Sequence, residues 1–435
     1  MDNFLGGTHT SLLQGKGTLG LVATNTVAQG DSRQVGLDAM VADGFTITRA
    51  IQSRSWPASS ANLEYAAVWG GLGEVAADIP RVADDIQVSR ISTLLEAQGR
   101  AEGNPVRLIE NAGIAFQGCI VLGMGFVIGI AEAQEWIAAD ARNAGVLFPY
   151  LNGEDLNQRP DASASRWVID FNDRSESAAS EYGLPFARVT RQVKAERMAN
   201  NRKVYRDYWW QYAEKRPAMR KAIAELPEVL VIARVSKTVM PLRVSTGQVP
   251  SEQCVVFASA SYGVQAVLSS SLHQLWAITY GSGMRNDPRY TPSDVFETFP
   301  QPEPTDSLEQ IGCDLNDERR EIMLRRDLGL TKLYNLVNDF KLSDSVDRDI
   351  ARMRELHAKL DRVVLDAYGW SDVDPGHGFY TFRKMQRWTL NPTARVELLD
   401  RLLEENHQRS AQQMQGRVRD ADGVDSAEND GLLFS

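Results

Sequence analysis

The chain has 435 residues, a formal net charge of −10, 43% hydrophobic residues and 24% charged residues. These values are those of an ordinary globular protein, large enough for two to four domains. Three cysteines lie far apart without a CxxC pair, which argues against a disulfide framework or a zinc site and predicts a reducing cytoplasm. The most apolar run, residues 119–131, is too short for a membrane span, which needs about 20 residues. The start of the chain has no basic region, so we expect neither a signal peptide nor a membrane partner.

The first 85 residues predict the end of an α/β domain. An apolar run at Leu19–Thr24 predicts a strand covered on both faces, and Val35–Val41 has helical spacing. Phe45–Ala50 and Leu63–Trp69 then predict two further strands. Because a covered strand so near the start has no earlier strand to pair with, we expect an open sheet edge that another segment or chain covers.

Residues 86–300 predict a mixed α+β domain, since short apolar runs alternate there with glycines and aromatics. A proline-rich stretch, Phe299–Pro304, predicts the linker that closes it. The predicted elements are helices at Ala131–Ala144, Val204–Leu226 and Val264–Ile278, and strands at Val229–Val235 and Cys254–Ser259.

Residues 301–410 predict a helical domain, because apolar residues recur there at positions i, i+3 and i+4. The last 25 residues, 411–435, are polar and carry five acids and two arginines, so they predict a disordered acidic tail. The predicted helices are Leu308–Leu328, Leu330–Phe340, Ser345–Tyr368 and Thr393–Ser410.

Residues 188–243, which we call the basic segment, carry fourteen Lys and Arg against five Asp and Glu, a local net charge of +9. A basic segment in an acidic chain indicates a surface that binds phosphates. Five candidates for phosphate contacts lie near its start: Arg191, Lys194, Arg197, Arg202 and Lys203.

Further along the basic segment, two features leave alternatives open. Five aromatics at Tyr205–Tyr212 either brace against sugars and bases or pack into the core, and a Trp209-Trp210 pair favours burial of at least one ring. Around the predicted strand at Val229–Val235 lie three cations that are candidates for base or groove contacts, because arginine pairs bidentately with guanine. They are Arg234, Lys237 and Arg243.

Seven sequence blocks, in this order, resemble the fused type IIL restriction–modification DNA methyltransferases. The most specific is Phe148-Pro-Tyr-Leu-Asn-Gly-Glu-Asp-Leu-Asn157, within the third block. The blocks span nearly the whole chain and are Leu21–Asp31, Gly113–Gly118, Val146–Asn157, Ser165–Asp170, Val193–Arg197, Arg289–Pro300 and Gly376–Phe379.

The resemblance implies adenine-N6 methylation of double-stranded DNA with S-adenosylmethionine as the methyl donor. It also implies a fold class: terminal strands of a class I, Rossmann-like methyltransferase fold in residues 1–85, a target recognition domain of mixed α+β structure in 86–300 and a helical C-terminal domain in 301–410. Adenine methylation requires the base to be flipped out and stacked. Trp56 stands where the family places a stacking aromatic, the alternative being a tryptophan that closes a domain interface.

The chain departs from the family pattern in its catalytic motifs. Neither the catalytic Asn-Pro-Pro-Phe tetrapeptide nor a Rossmann glycine motif occurs, and Gly123–Gly129 misses the latter's spacing by one residue. We therefore expect no donor-binding site and no nuclease in these residues, which leaves open whether the chain is an enzyme. Two hypotheses remain: the recognition half of a split methyltransferase completed by a partner chain, or a truncated remnant that at most binds DNA.

Overall fold

A computed structural model of the chain describes residues 17–28, 30–56, 64–73, 75–76, 79–88, 90–98, 101, 103–284, 287–382 and 385–429. The chain divides into two compact units. The first unit comprises the residues up to 104 together with 375–404, and the second comprises 105–374 together with the residues from 405 onward. In the described part of the chain, no helix is both long and apolar enough to cross a membrane.

The first unit is built on a five-stranded mixed sheet in the order β1-β3-β2-β4-β5. β1 and β2 both run antiparallel to β3, which lies between them, and helical turns connect β1 to β2. Leu37 and Met40 from these turns pack with Phe45, Ile47 and Val68 from the strands to form the core. The elements are β1 (Thr18–Thr24), α1 (Gly30–Arg33), α2 (Ala39–Ala42), β2 (Phe45–Ser55), β3 (Glu64–Leu72), β4 (Arg81–Ala83), β5 (Ile86–Val88), β6 (Arg90–Ile91) and β7 (Ala97–Gln98), with a π-helical stretch at Gln34–Asp38.

The predicted order of strand, helix, strand, strand is confirmed, but β1 is not covered on both faces. Exposure alternates along it: Leu19 and Leu21 pack against the core, whereas Val22 is exposed. The reason is that β1 is an antiparallel edge strand with one face toward the core. Among the described residues β1 pairs only with β3, so its outer edge remains unpaired.

The second unit contains two four-stranded sheets, ordered β14-β10-β11-β9 and β13-β12-β15-β8. Residues 250–254 lead from one sheet to the other, since β14 ends at Pro250 and β15 begins at Cys254. Cys119, just after β8, forms a parallel bridge with Ser251. We call residues 118–120 with 250–254 the seam. A Cβ atom at Gly118 would lie 2.1 Å from the Ser251 carbonyl oxygen, so the seam requires glycine there.

From β8 to β14, the second unit consists of short strands and short helices. They are β8 (Ala115–Gln117), β9 (Val127–Ile128), α3 (Ile130–Ala139), β10 (Leu147–Leu151), α4 (Gly153–Gln158), β11 (Arg166–Ile169), α5 (Glu176–Ser180), α6 (Gly183–Gln192), α7 (Lys194–Met198), α8 (Lys203–Asp207), α9 (Pro217–Ile223), β12 (Glu228–Ala233), β13 (Leu242–Ser245) and β14 (Val249–Pro250).

Helices dominate the remainder of the chain. A Cβ atom at Gly312 would lie 1.9 Å from the Tyr262 carbonyl oxygen, so α10 and α12 approach each other through this glycine. The elements are β15 (Cys254–Phe257), α10 (Tyr262–Ser269), α11 (Ser271–Tyr280), β16 (Ser282–Met284), β17 (Asp287–Arg289), α12 (Asp306–Arg325), α13 (Leu330–Val337), α14 (Arg348–Ala367), β18 (Gly378–Phe382), β19 (Met385–Thr389) and α15 (Pro392–Asn429).

Five further sequence predictions need correction. The predicted helix at Val264–Ile278 is two helices, α10 and α11, which meet at Ser270. The predicted helix at Val204–Leu226 is two short helices, α8 and α9, because the aromatics between them turn into the core. The proline-rich stretch is not a free linker, since Phe299 is fully buried and its carbonyl accepts a hydrogen bond from Asn111. Residues 411–429 continue helix α15 rather than forming a disordered tail. The hairpin of β18 and β19 lies within the segment predicted to be helical.

The division into two units also differs from the predicted domains. Residues 86–104 of the predicted recognition domain belong to the first unit, whereas residues 105–300 share the second unit with the helices α12, α13 and α14. The hairpin β18–β19 belongs to the first unit. The mixed α/β, multidomain architecture is confirmed, whereas the four-part domain division stays a prediction.

Candidate nucleic-acid interface

The block at Phe148–Asn157 forms a strand end, a helix cap and a short helix. The Asn152 side chain accepts hydrogen bonds from the backbone N–H groups of Glu154 and Asp155, and Asp155 accepts one in return from the Asn152 N–H. Such reciprocal capping fixes the direction in which the chain enters α4. Farther along α4, Asn157 accepts a hydrogen bond from the Ser236 hydroxyl. The block therefore anchors the loop after β12, which carries Arg234 and Lys237.

Arg197, predicted as a phosphate ligand, is instead a structural residue. Only 1% of it is exposed, and its guanidinium donates hydrogen bonds to the carbonyl oxygens of Val121, Leu122 and Gln211 at 2.7–3.1 Å. Burial lowers the pKa of this guanidinium. Arg197 is the buried residue of α7. Because backbone carbonyls enclose its guanidinium, this side chain does not reach a phosphate.

Arg191 and Lys194 lie at the junction of α6 and α7. Arg191 is exposed, and within the described residues it has no hydrogen-bond or ion-pair partner. Lys194 is half-buried, with its ammonium 4.4 Å from the centroid of the Trp209 ring and 3.8 Å from a Glu176 carboxylate oxygen. Arg191 is thus available for an external anion, while Lys194 already has two partners.

Arg202 and Lys203 lie at the start of α8 and are both exposed. Arg202 donates a 2.8 Å hydrogen bond to the Tyr205 hydroxyl, and Lys203, whose side chain is 80% exposed, forms an ion pair with Asp207. Exposed ion pairs of this kind contribute little to stability, so both cations remain available to phosphates.

The aromatics of the basic segment mostly pack into the core. Trp209, Trp210 and Tyr212 are buried, and the Trp210 indole N–H donates to the Arg174 carbonyl oxygen. Tyr208 is different, since half of it is exposed. Of the two readings that the sequence left open, core packing therefore holds for these three rings, and Tyr208 stays available to a ligand.

Arg243, predicted to contact base edges, is also enclosed by the protein. Its side chain is 7% exposed, its guanidinium lies 3.9 Å from the Tyr262 ring centroid, and it donates a 2.8 Å hydrogen bond to the Ala260 carbonyl oxygen. The loop and helix that follow β15 cover this part of β13. Arg243 joins β13 to α10, and its enclosed guanidinium leaves little surface for contact with a base.

Arg234 and Lys237 lie in the loop after β12. Lys237 is exposed and Arg234 is half-buried. The backbone of Arg234 donates to the Gln253 carbonyl in the seam and accepts from the Tyr290 N–H, both at 2.7 Å. Burial and the positive charges of Arg289 and Arg216 lower the pKa of Arg234.

Three charged residues near Arg234 were missed at the level of sequence. Arg216 has a left-handed backbone with φ of 57°, uncommon for a non-glycine residue, and donates to the Gly118 carbonyl oxygen at 3.2 Å. Val235 forms an antiparallel bridge with Arg289, and Glu252 lies within the seam. Pro217 marks a helix start and is the one sequence feature that indicates the special backbone position of Arg216. Arg289 and Glu252 lie far from Arg234 in the sequence, and no local pattern indicates that they lie near it in the fold.

Trp56, the candidate for base stacking, follows directly after β2. It is 43% exposed and makes an edge-to-face contact with Tyr65, with ring centroids 5.4 Å apart. Residues 57–63, which follow Trp56 and lead to β3, lie outside the described residues. The role of Trp56 stays a prediction. In the described part of the chain, no group of His, Cys, Asp or Glu is arranged to hold a metal ion.

Comparisons with known proteins cover the part of the chain that carries most of these candidate residues. Residues 120–303 match the family model described as "MmeI, target recognition domain". A comparison with curated protein sequences gave no match. Among solved structures, the chain is similar to the type IIL restriction–modification enzyme MmeI in complex with DNA, with a TM-score of 0.65 and 16% identity.

The similarity covers 91% of this chain and 50% of that MmeI chain, so the chain spans half the length of its structural relative. The two comparisons agree with the sequence blocks on the same family. The resemblance to the type IIL restriction–modification enzymes is thereby confirmed, since residues 120–303 match the model of the MmeI target recognition domain and the fold is similar to that of MmeI.

Proposed function

We propose that the chain binds double-stranded DNA and recognises the target site of an adenine-N6 methyltransferase in a type IIL restriction–modification system. The match of residues 120–303 to a target recognition domain carries this proposal. The solved structure of the similar protein MmeI contains DNA, which supports the same ligand class here.

The exposed cations of the basic segment support a phosphate-binding surface on that domain. Arg191, Arg202 and Lys203 are exposed and lie within thirteen positions of each other. Each cation that neutralises a phosphate releases counterions, so affinity falls with rising salt. Since the whole chain is acidic, DNA binding depends on such local positive surfaces rather than on net charge.

A triple variant tests this surface. Arg191→Gln, Arg202→Gln and Lys203→Gln together remove three exposed charges and leave the buried Arg197 intact. We expect weaker binding to every duplex by about the same factor, and a plot of log affinity against log salt that is shallower by roughly 0.9 per lost contact. Fluorescence anisotropy with a labelled duplex measures both quantities.

A matched control uses helix α14, where Lys359 and Arg362 are also exposed and three positions apart. Lys359→Gln with Arg362→Gln should leave both the affinity and its salt dependence as in the wild type. Equal losses in the two variants would mean that only net charge matters, and a wild type that binds no duplex would reject the proposed function.

Methyl transfer is a further part of the proposal, and it needs residues beyond those present. Among the described residues, no glycine-rich turn joins a strand to a helix, so those residues alone do not fit the methyl donor and we derive no step through it. We propose that a separate chain supplies the N-terminal half with the donor site and the catalytic tetrapeptide. Two observations support this arrangement: β1 pairs only with β3 among the described residues, and β3 lies in a class I-like way between the parallel strands β1 and β2.

Co-purification with such a chain distinguishes the split enzyme from a truncated remnant. A split enzyme should transfer labelled methyl groups to duplex DNA only when both chains are present, and it should gain thermal stability on mixing. A Trp56→Ala variant should then keep DNA binding and lose methyl transfer, because base stacking is removed. Duplex binding without methyl transfer, even with the partner, would favour the remnant.

A further inference from the structure

The turn between α7 and α8 carries large apolar side chains that face water. Met198 is the last residue of α7, whereas Val204 and Tyr208 lie one helical turn apart along α8, where the Tyr208 N–H donates to the Val204 carbonyl oxygen at 3.1 Å. The three residues are 52%, 55% and 50% exposed. Single exposed apolar residues are common on protein surfaces, but three within eleven positions indicate a contact surface. We call Met198, Val204 and Tyr208 the apolar tip.

Hydrogen bonds and ring contacts brace the turn that carries the apolar tip. The Asn200 side chain accepts a 2.9 Å hydrogen bond from the Arg202 N–H, and the Asn200 carbonyl oxygen accepts one of 2.6 Å from the Arg206 guanidinium. The centroid of the Tyr205 ring lies 5.4 Å from the guanidinium carbon of Arg197 and 5.4 Å from that of Arg202. Because the backbone is already held, a ligand that contacts the apolar tip has little chain to order.

The charges beside the apolar tip favour DNA as its partner. Residues 198–208 carry three cations and one acid. Another exposed apolar pair of the same unit, Phe340 and Val346, lies between α13 and α14 in the opposite surroundings, since residues 338–349 carry four aspartates against one lysine and one arginine. A polyanion is attracted to the first surface and repelled by the second. The apolar tip therefore fits a polyanion that also offers apolar surface.

Duplex DNA offers apolar surface in two places. Thymine methyl groups lie in the major groove, and the flat faces of the base pairs become accessible where a base step opens. A methyl group is small and covers little of three large side chains, whereas an opened step offers a flat surface to the Tyr208 ring and to the Met198 and Val204 chains together. Proteins that insert apolar side chains in this way unstack the step and kink the duplex.

We propose that the apolar tip inserts into a base step of the bound duplex, partly unstacks it and bends the DNA, while Arg202 and Lys203 hold phosphates beside that step. The exposed apolar surface of the tip then leaves water, and the cations keep the opened step in place. This inference rests on the proposed function, since it requires that the chain bind duplex DNA. It adds a deformation of the DNA to the phosphate contacts proposed there.

Bending and unstacking are measured on the full chain with a mixed-sequence duplex. Dyes at the two ends report a bend as a rise in energy transfer, and 2-aminopurine placed at successive positions reports an opened step as a rise in fluorescence. We expect both signals with the wild type. A triple variant, Met198→Gln with Val204→Gln and Tyr208→Ala, should lose both signals and bind roughly 10-fold more weakly. Because no charge is removed, the salt dependence of binding should stay as in the wild type.

Matched variants separate insertion from a structural role. Met198→Leu keeps an apolar side chain of similar size and should keep both signals, whereas Met198→Gln alone should weaken them. Phe340→Ala with Val346→Ala removes exposed apolar surface from the acidic surroundings between α13 and α14, and it should bend the duplex as the wild type does. Thermal melting of every variant establishes that it is folded, and substitutions at such exposed positions should change stability little.

Three results would overturn the inference. The first is a duplex that stays straight and fully stacked when the wild type binds it, and the second is a bend that survives in the folded triple variant. The third is a loss of affinity when every thymine is replaced by uracil, without an opened step, since that pattern assigns the apolar tip to thymine methyl groups. A wild type that binds no duplex would reject the proposed function itself, an outcome distinct from binding without a bend.

Discussion

Arg197 in the basic segment and Arg234 beside the seam look alike in the sequence, yet the structure treats them differently. Arg197 is buried and its guanidinium is held by three backbone carbonyls, whereas Arg234 is half-buried and its guanidinium has no partner among the described residues. The Arg197 guanidinium donates hydrogen bonds to backbone carbonyls. The Arg234 guanidinium donates none to the described residues. The difference separates a cation that holds the domain together from one that is a candidate for contact with DNA.

The largest effect should come from a buried ion pair. Asp170 is buried, and the Arg220 guanidinium lies 2.6 Å from its carboxylate. Arg220→Met would leave that carboxylate uncompensated and lower the free energy of unfolding by roughly 4 kcal/mol, measured by urea denaturation. Asp170→Asn added to this variant should restore part of the loss. Arg142→Met, which breaks an exposed pair with Asp140, is the control and should change stability little.

Arg197→Met should have the next largest effect, roughly 3 kcal/mol, because three buried carbonyl oxygens lose their donor. The free energy of unfolding again measures it. Arg202→Met, at an exposed position of the same segment, should stay within about 0.5 kcal/mol of the wild type. Similar losses in both variants would erase the distinction between the inner and outer cations of the basic segment.

Unfolding at a series of pH values tests His273, a buried side chain whose two ring nitrogens both have hydrogen-bond partners in the protein. His273 is fully buried; its Nδ1–H donates to the Leu268 carbonyl oxygen and its Nε2 accepts from the Tyr290 hydroxyl. Burial lowers the pKa of His273 to about 4, below the value near 6.5 expected in the unfolded chain. The unfolded state therefore binds the proton first, and stability is lost as pH falls from about 6.5 to about 4, by roughly 3 kcal/mol in full.

His273→Gln should remove this component, so the difference in unfolding free energy between wild type and variant should shrink over that pH window. Thermal or urea unfolding at a series of pH values measures the difference. A difference that is constant with pH would show that the imidazole does not titrate as its burial indicates.

The smallest stability effect should be at Arg234. Since no hydrogen bond or ion pair is broken, Arg234→Met should lower the free energy of unfolding by less than about 1 kcal/mol. A loss as large as that of Arg197→Met would mean that Arg234 has a structural partner, and it would remove Arg234 from the candidates for contact with DNA.

The sequence predicted elements well where one pattern dominates. The helices α12 and α14 and the strands β2, β3, β12 and β15 follow their hydrophobic periodicity, because each packs one face or both against a single core. The prediction of one helix over Val204–Leu226 is wrong for a physical reason. Trp209 and Trp210 fit helical spacing in the sequence, but they pack into the core through tertiary contacts that interrupt the helix.

The site was predictable only in part. Local charge density correctly marks Arg191, Arg202 and Lys203 as exposed cations, but it cannot tell them from Arg197. Two of the three carbonyl partners of Arg197 come from residues 75 and 76 positions away. The surroundings of Arg234 depend on bridges that pair Cys119 with Ser251 and Val235 with Arg289. Such long-range pairing leaves no mark in local composition, so Arg289 and Glu252 could not be found without the fold.

Chemical footprinting of lysines on the intact protein tests the central claim, that DNA binds the outer face of the basic segment. Lys203 and Lys359 are similarly exposed, at 80% and 61% of the side chain, and lie in different parts of the second unit. Acetylation followed by mass spectrometry compares them with and without duplex DNA. We predict that DNA protects Lys203 and leaves Lys359 reactive; equal reactivity of Lys203 in both conditions, with DNA demonstrably bound, would contradict the account.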